Sequence, residues 1–135
     1  MTDTGGASAD EAVLDQGFDA GTLQLLRARV AACVAAAGLP EGRAADVILA
    51  VHELAANAVR HGAGAGRLLL RAAGGMLYCQ VTDAGPGPDT WPLRQGHGLW
   101  IVRQVAERMA MTAGPEGTKI TAEFAVLPAR RGDQG

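Results

Sequence analysis

Asp83 is a carboxylate that ends an alternating apolar pattern. The residues two, four and six positions before it are apolar and share its side of a predicted strand: Val81, Cys79 and Leu77. A carboxylate on the core side of a strand is costly unless a donor reaches it. Two interpretations follow: Asp83 caps the turn before Gly85, as in many Asp-x-Gly loops, or it accepts a hydrogen bond from a ligand donor such as an exocyclic amine.

Thr118 shows the same arrangement on a second predicted strand. It is in phase with an apolar series that faces the core: Ile120, Ala122, Phe124 and Val126. Asp83 and Thr118 therefore each place a hydrogen-bonding group at a strand end, on the inferred core side. A planar, mostly apolar ring with few polar groups needs a pocket of that kind.

Glu53, Asn57 and His61 recur every four residues in a predicted helix. This spacing places them on one stripe beside the apolar face of the helix. A solvated polar face is one interpretation. The stripe nevertheless sets one carboxylate and one amide among alanines, where longer charged side chains are usual, and this composition favours a functional role.

Gly96-His97-Gly98 directly precedes another predicted helix. Free N–H groups and the positive end of the helix dipole favour an anion there, and glycines let the backbone approach it closely. Such helix starts are also common without any ligand. The chain contains no Walker loop and no complete Gly-x-Gly-x-x-Gly, so the standard nucleotide-binding folds are excluded.

A small number of elements must position these groups. Apolar spacing, glycines and prolines predict, in order, a strand over 12–18, helices over 22–37 and 41–61, strands over 67–73 and 76–83, a loop over 84–97, a helix over 99–109, and strands over 111–113 and 118–126. Helices and hairpins in this order pack naturally as helices on one face of a mostly antiparallel sheet. The predicted fold class is α+β, a two-layer sandwich.

Length and composition limit the architecture and the class of function. The 135 residues suit one domain, predicted over 12–127 between a flexible N-terminal tail, 1–11, and a C-terminal tail, 128–135. A net charge of −2 gives no basic footprint for nucleic acid or an anionic membrane. The chain shows no secretory signal and no apolar run that spans a membrane. We therefore expect a cytoplasmic protein in which Cys33 and Cys79 are buried free thiols rather than a disulfide or metal site.

Taken together and in this order, these segments resemble the histidine-kinase-like ATPase superfamily (GHKL), which has the Bergerat fold. The similar segments are an N box, Glu53-Leu-Ala-Ala-Asn57-Ala-Val-Arg-His61-Gly62, and three glycine boxes, Asp83-Ala-Gly85-Pro-Gly87, Gly96-His97-Gly98-Leu99 and Gly117-Thr118. The resemblance spans residues 22–126. Small single-domain members without a phosphoacceptor hairpin are similar to bacterial anti-sigma-factor serine/threonine kinases.

The resemblance implies a role for each matched residue. Glu53 would be the general base toward a water or a serine hydroxyl, and Asn57 would ligate Mg²⁺ that bridges the phosphates of ATP. Asp83 would accept from the adenine amino group, with Thr118 supporting it. The other matched positions would line the nucleotide pocket and the phosphate path: His61, Gly85, Gly87, Gly96, His97, Gly98 and Leu99.

The segment between Gly87 and Gly96 is shorter than the ATP lid that family kinases usually carry. Within it, Arg94 is a candidate contact for the γ-phosphate; the alternative is a solvated loop arginine. The resemblance implies transfer of the γ-phosphate to a serine or threonine of an anti-sigma antagonist, control of a sigma factor, and a homodimer. Two alternatives stay open: an ATP-binding regulatory module without phosphotransfer, and the catalytic subunit of a split histidine kinase.

Overall fold

A computed structural model describes residues 11–85 and 98–126. In these ranges the chain forms five strands and three α-helices: β1 (Glu11–Asp19), α1 (Leu23–Ala36), α2 (Glu41–His61), β2 (Ala65–Ala73), β3 (Met76–Asp83), α3 (Gly98–Val105), β4 (Arg108–Gly114) and β5 (Gly117–Ala125). Several predicted features lie outside the described residues: the tails over 1–10 and 128–135, and the site residues Gly87, Arg94, Gly96 and His97.

The five strands form one sheet in the order β1-β2-β3-β5-β4, and every neighbouring pair is antiparallel. Alternate residues of β2, β3 and β5 are buried, so one face of the sheet is covered by the helices. The fully buried side chains come from all three helices and from that face of the sheet: Val30, Val47, Leu54, Leu68, Leu70, Cys79, Leu99, Val102 and Phe124. The predicted α+β two-layer sandwich is confirmed.

Local sequence signals set the ends of the central elements. α2 begins after Pro40, and the Gly62 N–H closes its last turn on the Ala58 carbonyl at 3.0 Å. Gly74 and Gly75 join β2 to β3 with φ of 59° and 79°, values that favour glycine. The predicted bounds of α2 and β3 are confirmed.

β1 begins one residue earlier than predicted, so Glu11 belongs to a strand rather than to the tail. At its other end Asp19 caps the following short 3-10 turn. Asp19 Oδ1 accepts from the Gly21 N–H at 2.9 Å, and the Asp19 N–H donates to Thr22 Oγ1 at 2.8 Å. This reciprocal cap leads the chain into α1. β2 and β5 also differ from their predicted bounds by one or two residues.

The third helix is shorter than predicted, and the strand after it is longer. The helix predicted over 99–109 ends at Val105, and the strand predicted over 111–113 already begins at Arg108, so both predictions are wrong at this boundary. Met109 fits the helical spacing, but it lies in β4 and pairs with a residue of β5. Backbone pairing with β5 therefore decides the boundary where side-chain spacing is ambiguous.

Both cysteines are free thiols, as expected. Cys79 is fully buried, as predicted, whereas Cys33 is only half-buried, so the predicted burial is wrong for Cys33. Burial raises the pKa of the Cys79 thiol because it disfavours the thiolate, so this group is a poor nucleophile. In the described ranges, no helix combines the length and hydrophobicity that a membrane crossing requires.

Candidate functional site

The Asp83 side chain caps a turn at the end of β3. Its Oδ1 accepts a 2.6 Å hydrogen bond from the Gly85 N–H, and the Thr118 hydroxyl donates to the Gly85 carbonyl at 2.8 Å. Asp83 and Thr118 are register partners across β3 and β5. Among the described residues, no donor reaches the second carboxylate oxygen, Oδ2. Both interpretations of Asp83 are therefore compatible, because one oxygen caps the turn and the other is left as an acceptor for a ligand.

The C-terminal end of α2 packs on this turn. The backbone of Gly62 lies against the Asp83 carboxylate, and a Cβ on Gly85 would lie 2.5 Å from the Gly62 Cα. A side chain on either glycine would push the helix away from the strand end. The two glycines therefore bring the helix that carries Glu53 and Asn57 next to Asp83.

Asn57 is 3% exposed, and its Oδ1 has no hydrogen-bond partner. Within the part of the chain that the structure describes, it is the one buried side-chain atom in this state. A buried polar atom left unpaired costs about 1–3 kcal/mol of stability. A cation would satisfy this oxygen, since amide oxygens are among the ligands that Mg²⁺ and Ca²⁺ accept. Asn57 therefore fits the metal that the resemblance implies.

Glu53 lies one helical turn before Asn57 and meets the start of α3. A Cβ added to Gly98 would lie 2.5 Å from Glu53 Oε1. The described part of α3 begins at Gly98, so this end of the helix lies beside the Glu53 carboxylate. The structure therefore brings Glu53 and Gly98 together, and Asn57 follows Glu53 by one turn on the same helix.

Arg60, which the sequence pattern did not predict as a site residue, lies at the same place. Its Nη2 lies 3.9 Å from the position of a Cβ on Gly98. Arg60 follows Glu53 by two turns on the same helix, and this spacing was the signal available in the sequence. The residue is exposed, so its guanidinium adds positive charge at the mouth of the site.

The other described site residues take different positions. His61 is exposed in the last turn of α2, whereas the side chain of Leu99 is fully buried. Leu99 therefore anchors α3 in the core and does not line a pocket with its side chain. Gly117 has a φ of 128°, and its backbone packs on Asp83 and Ala84. The third glycine box thus closes on the same turn as the first.

No group of three His, Cys, Asp or Glu side chains within residues 11–85 and 98–126 has the arrangement of a metal site. A cation at Asn57 would therefore take most of its ligands from phosphates and water, as Mg²⁺ commonly does in nucleotide sites.

A hollow of about 420 Å³ borders Asp83 and Thr118 on the outer side of the sheet, and an apolar one of about 350 Å³ lies at the opposite end of β3. Neither hollow includes Glu53 or Asn57. The candidate site is therefore defined by the positions of its side chains and not by either of these two cavities.

The chain is similar to a known protein family and to several solved structures. A family model described as a histidine kinase-like ATPase domain matches residues 18–124. The RsbU and RsbW domains of Rv1364c from Mycobacterium tuberculosis align with a TM-score of 0.66 and 22% identity, over 86% of this chain and 34% of that one. The blue-light activated histidine kinase EL346 of Erythrobacter litoralis aligns with a TM-score of 0.57 and 25% identity, over 77% of this chain and 42% of that one. No curated protein matches the sequence.

These structures are longer than the chain described here. The histidine kinase domain of EL346 alone aligns with a TM-score of 0.56 and 25% identity, over 75% of this chain and 61% of that one. The chain thus spans between 34% and 61% of their lengths. At 22% identity, the likeness to the mycobacterial structure shows the fold. The family model, in contrast, covers the site from Glu53 to Thr118, and the chain therefore belongs to the family of histidine kinase-like ATPase domains.

Proposed function

We propose that this protein binds ATP with Mg²⁺ and transfers the γ-phosphate to a serine or threonine of an anti-sigma antagonist, thereby controlling a sigma factor. The observation that carries the proposal is the buried, unpartnered Oδ1 of Asn57, one turn from Glu53. A bound Mg²⁺ would satisfy this oxygen, since amide oxygens can ligate divalent cations. Family membership and a fold shared with a structure that contains an RsbW domain support the proposal.

The adenine ring lies, in this proposal, against the turn at the end of β3. Asp83 Oδ2 accepts from the ring's amino group while Oδ1 stays on the Gly85 N–H. Thr118 contributes by holding the Gly85 carbonyl, so the acceptor is positioned before the ligand arrives. A fixed acceptor loses little entropy on binding, which favours affinity.

The phosphates run from this turn toward the start of α3. The Arg60 guanidinium supplies positive charge there. Asn57 would hold Mg²⁺, which when bound neutralises charge on the phosphates. Four residues beyond the described ranges stay predicted contacts: Gly87, Arg94, Gly96 and His97.

In the transfer step Glu53 accepts the proton of the substrate hydroxyl. The hydroxyl oxygen forms a bond to the γ-phosphorus, the bond from that phosphorus to the bridging oxygen breaks, and ADP leaves with the electron pair. A positioned general base contributes about 100- to 10,000-fold to such a step. The close approach of Gly98 restricts where the Glu53 carboxylate can lie, and this restriction orients the base.

Labelling with γ-labelled ATP, Mg²⁺ and an antagonist-type protein encoded beside the gene tests the proposal. We expect acid-stable label on a serine or threonine of that protein. Glu53→Ala abolishes the label and keeps ATP affinity, whereas Glu41→Ala, an exposed glutamate at the start of the same helix, changes neither. ATP binding by the unmodified protein without any label contradicts the kinase role and leaves the regulatory module.

A histidine kinase subunit is the second candidate, favoured by 25% identity with EL346. In that case the label would be on a histidine of a partner protein and would be lost in acid. The proposal further includes a homodimer and a cytoplasmic reaction with the sigma factor and the antagonist as partners. Light scattering of the purified chain checks the dimer separately from the chemistry.

A further inference from the structure

Arg43, near the start of α2, uses all five of its guanidinium N–H groups. Nε donates to the Ala125 carbonyl at 3.2 Å, and Nη1 donates to Asp46 Oδ2 at 2.9 Å and to the Val105 carbonyl at 3.1 Å. Nη2 pairs with both carboxylate oxygens of Glu107. A guanidinium with every donor occupied is held in one orientation.

These contacts connect three elements at the end of the fold away from the Asp83 turn. Val105 is the last residue of α3, and Ala125 is the last residue of β5. Glu107, in the link after α3, also accepts from the Ala125 N–H at 3.0 Å. The Arg43 side chain is 20% exposed and lies 5.5 Å from the centre of the Phe124 ring. The bonds to the two carbonyls are partly buried, whereas water screens the pair with Glu107, which is 45% exposed.

The described part of α3 is held against the core by apolar contacts, with Trp100 and Val105 partly buried beside its two buried side chains. It has eight residues, is about 12 Å long, and buries two side chains, Leu99 and Val102. Apolar contacts are non-directional and tolerate a small slide or rotation of the helix. The hydrogen bond from Arg43 to the Val105 carbonyl is directional and opposes both movements.

We infer that Arg43 is a positioning residue for the nucleotide site, and this inference rests on the proposed function. By holding the C-terminal end of α3, Arg43 determines where the opposite end, at Gly98, meets Glu53. A Cβ on Gly98 would lie 2.5 Å from Glu53 Oε1, so a small movement of the helix changes this contact. Arg43 does not touch the site itself. The turn that would hold the adenine is built on the other ends of β3 and β5.

Comparing the affinities for MgATP and for adenosine tests this inference. Calorimetry measures the affinity for MgATP, and an NMR titration measures the affinity for adenosine, which lacks phosphates. We expect Arg43→Ala to weaken the affinity for MgATP about tenfold and the affinity for adenosine by less than about twofold. The reason is that displacing α3 affects only the phosphate end of the site. Arg43→Lys keeps the charge without the planar fork and should recover part of the MgATP affinity.

The matched control is Val30→Ala, which opens the core under α1 and leaves α3 untouched. It should lower the melting temperature and keep the ratio of the two affinities. If Arg43→Ala does not fold, Arg43→Lys and Glu107→Gln carry the same comparison. An unchanged ratio in the folded Arg43 variants overturns the inference while the proposed function stands. Absence of MgATP binding by the unmodified protein overturns the proposed function instead.

Discussion

The Glu53 carboxylate leaves no room for a side chain on Gly98, since a Cβ there would lie 2.5 Å from Oε1. Glu53 belongs to α2 and Gly98 is the first residue of α3, so the two helices meet at the proposed base. The position of this carboxylate therefore depends on the position of α3 as well as on its own helix.

Gly98→Ala tests this contact. The new methyl group must displace Glu53 or the start of α3, and we expect phosphotransfer to fall by at least about tenfold because the base loses its orientation. Gly42→Ala is the matched control, since Gly42 also lies in the first turn of a helix but has nothing within 4 Å of an added Cβ. Equal transfer rates in the two variants, measured with γ-labelled ATP, would show that the contact is irrelevant.

Asp83→Asn should weaken binding of adenine nucleotides by about 10- to 100-fold. The amide oxygen of Asn can still accept from the Gly85 N–H, so the turn stays intact. The second acceptor, however, becomes an NH₂ donor that repels the adenine amino group. Calorimetry with ADP measures the change, and Asp15→Asn, at an exposed carboxylate of β1, is the control. Unchanged affinity in Asp83→Asn would argue against the assigned pocket.

Asn57→Ala should separate stability from function. Removing the unpaired, buried Oδ1 eliminates a penalty of about 1–3 kcal/mol, so the melting temperature of the ligand-free protein should not fall. The Mg²⁺-dependent part of ATP affinity should disappear. Leu54→Ala, on the same helix and fully buried, should instead destabilise by about 2–5 kcal/mol. A comparable loss of stability in Asn57→Ala would mean that this amide has a structural partner.

Arg60→Ala should weaken the binding of ATP more than the binding of adenosine. The guanidinium lies beside Gly98, where the phosphates are proposed to bind, and an exposed charge pair contributes about 1 kcal/mol, which corresponds to roughly fivefold in affinity. The effect should shrink in high salt because the residue is exposed. Arg29→Ala, an exposed arginine of α1, serves as the comparison. If both variants bind ATP equally well, Arg60 has no part in the site.

The two thiols should react at different rates. Burial raises the pKa of Cys79, so its thiolate is scarce in the folded protein and iodoacetamide at pH 8 should leave it unmodified. Cys33 is half-buried and should react first. Mass spectrometry before and after denaturation distinguishes the sites, and both should react once the chain unfolds. Rapid labelling of Cys79 in the native protein would contradict its place in the core.

Much of the fold is readable from local signals. α2 and β3 have the predicted bounds because Pro40, Gly62 and the Gly74–Gly75 turn act on the chain nearby. The predicted boundary between α3 and β4 is wrong, because Met109 pairs with β5 and side-chain spacing along the chain does not encode this long-range contact.

The site residues likewise divide into those that local spacing predicts and those that depend on long-range contacts. The stripe of Glu53 and Asn57 is set by helical spacing and was visible in the sequence. The role of Arg43 could not be predicted from the sequence, because its partners Val105 and Ala125 lie 62 and 82 residues away along the chain. Arg60 has a local signal, yet only the packing of α3 on α2 places it beside Gly98.

Titration of the purified protein with ATP and with ADP, in the presence and absence of Mg²⁺, tests the central claim most directly. We expect saturable binding of one nucleotide per chain, with Mg²⁺ strengthening ATP binding and Asp83→Asn weakening both nucleotides. A protein that shows neither heat nor a shift in melting temperature with millimolar ATP, ADP and Mg²⁺ would contradict the nucleotide site on which every role assigned here depends.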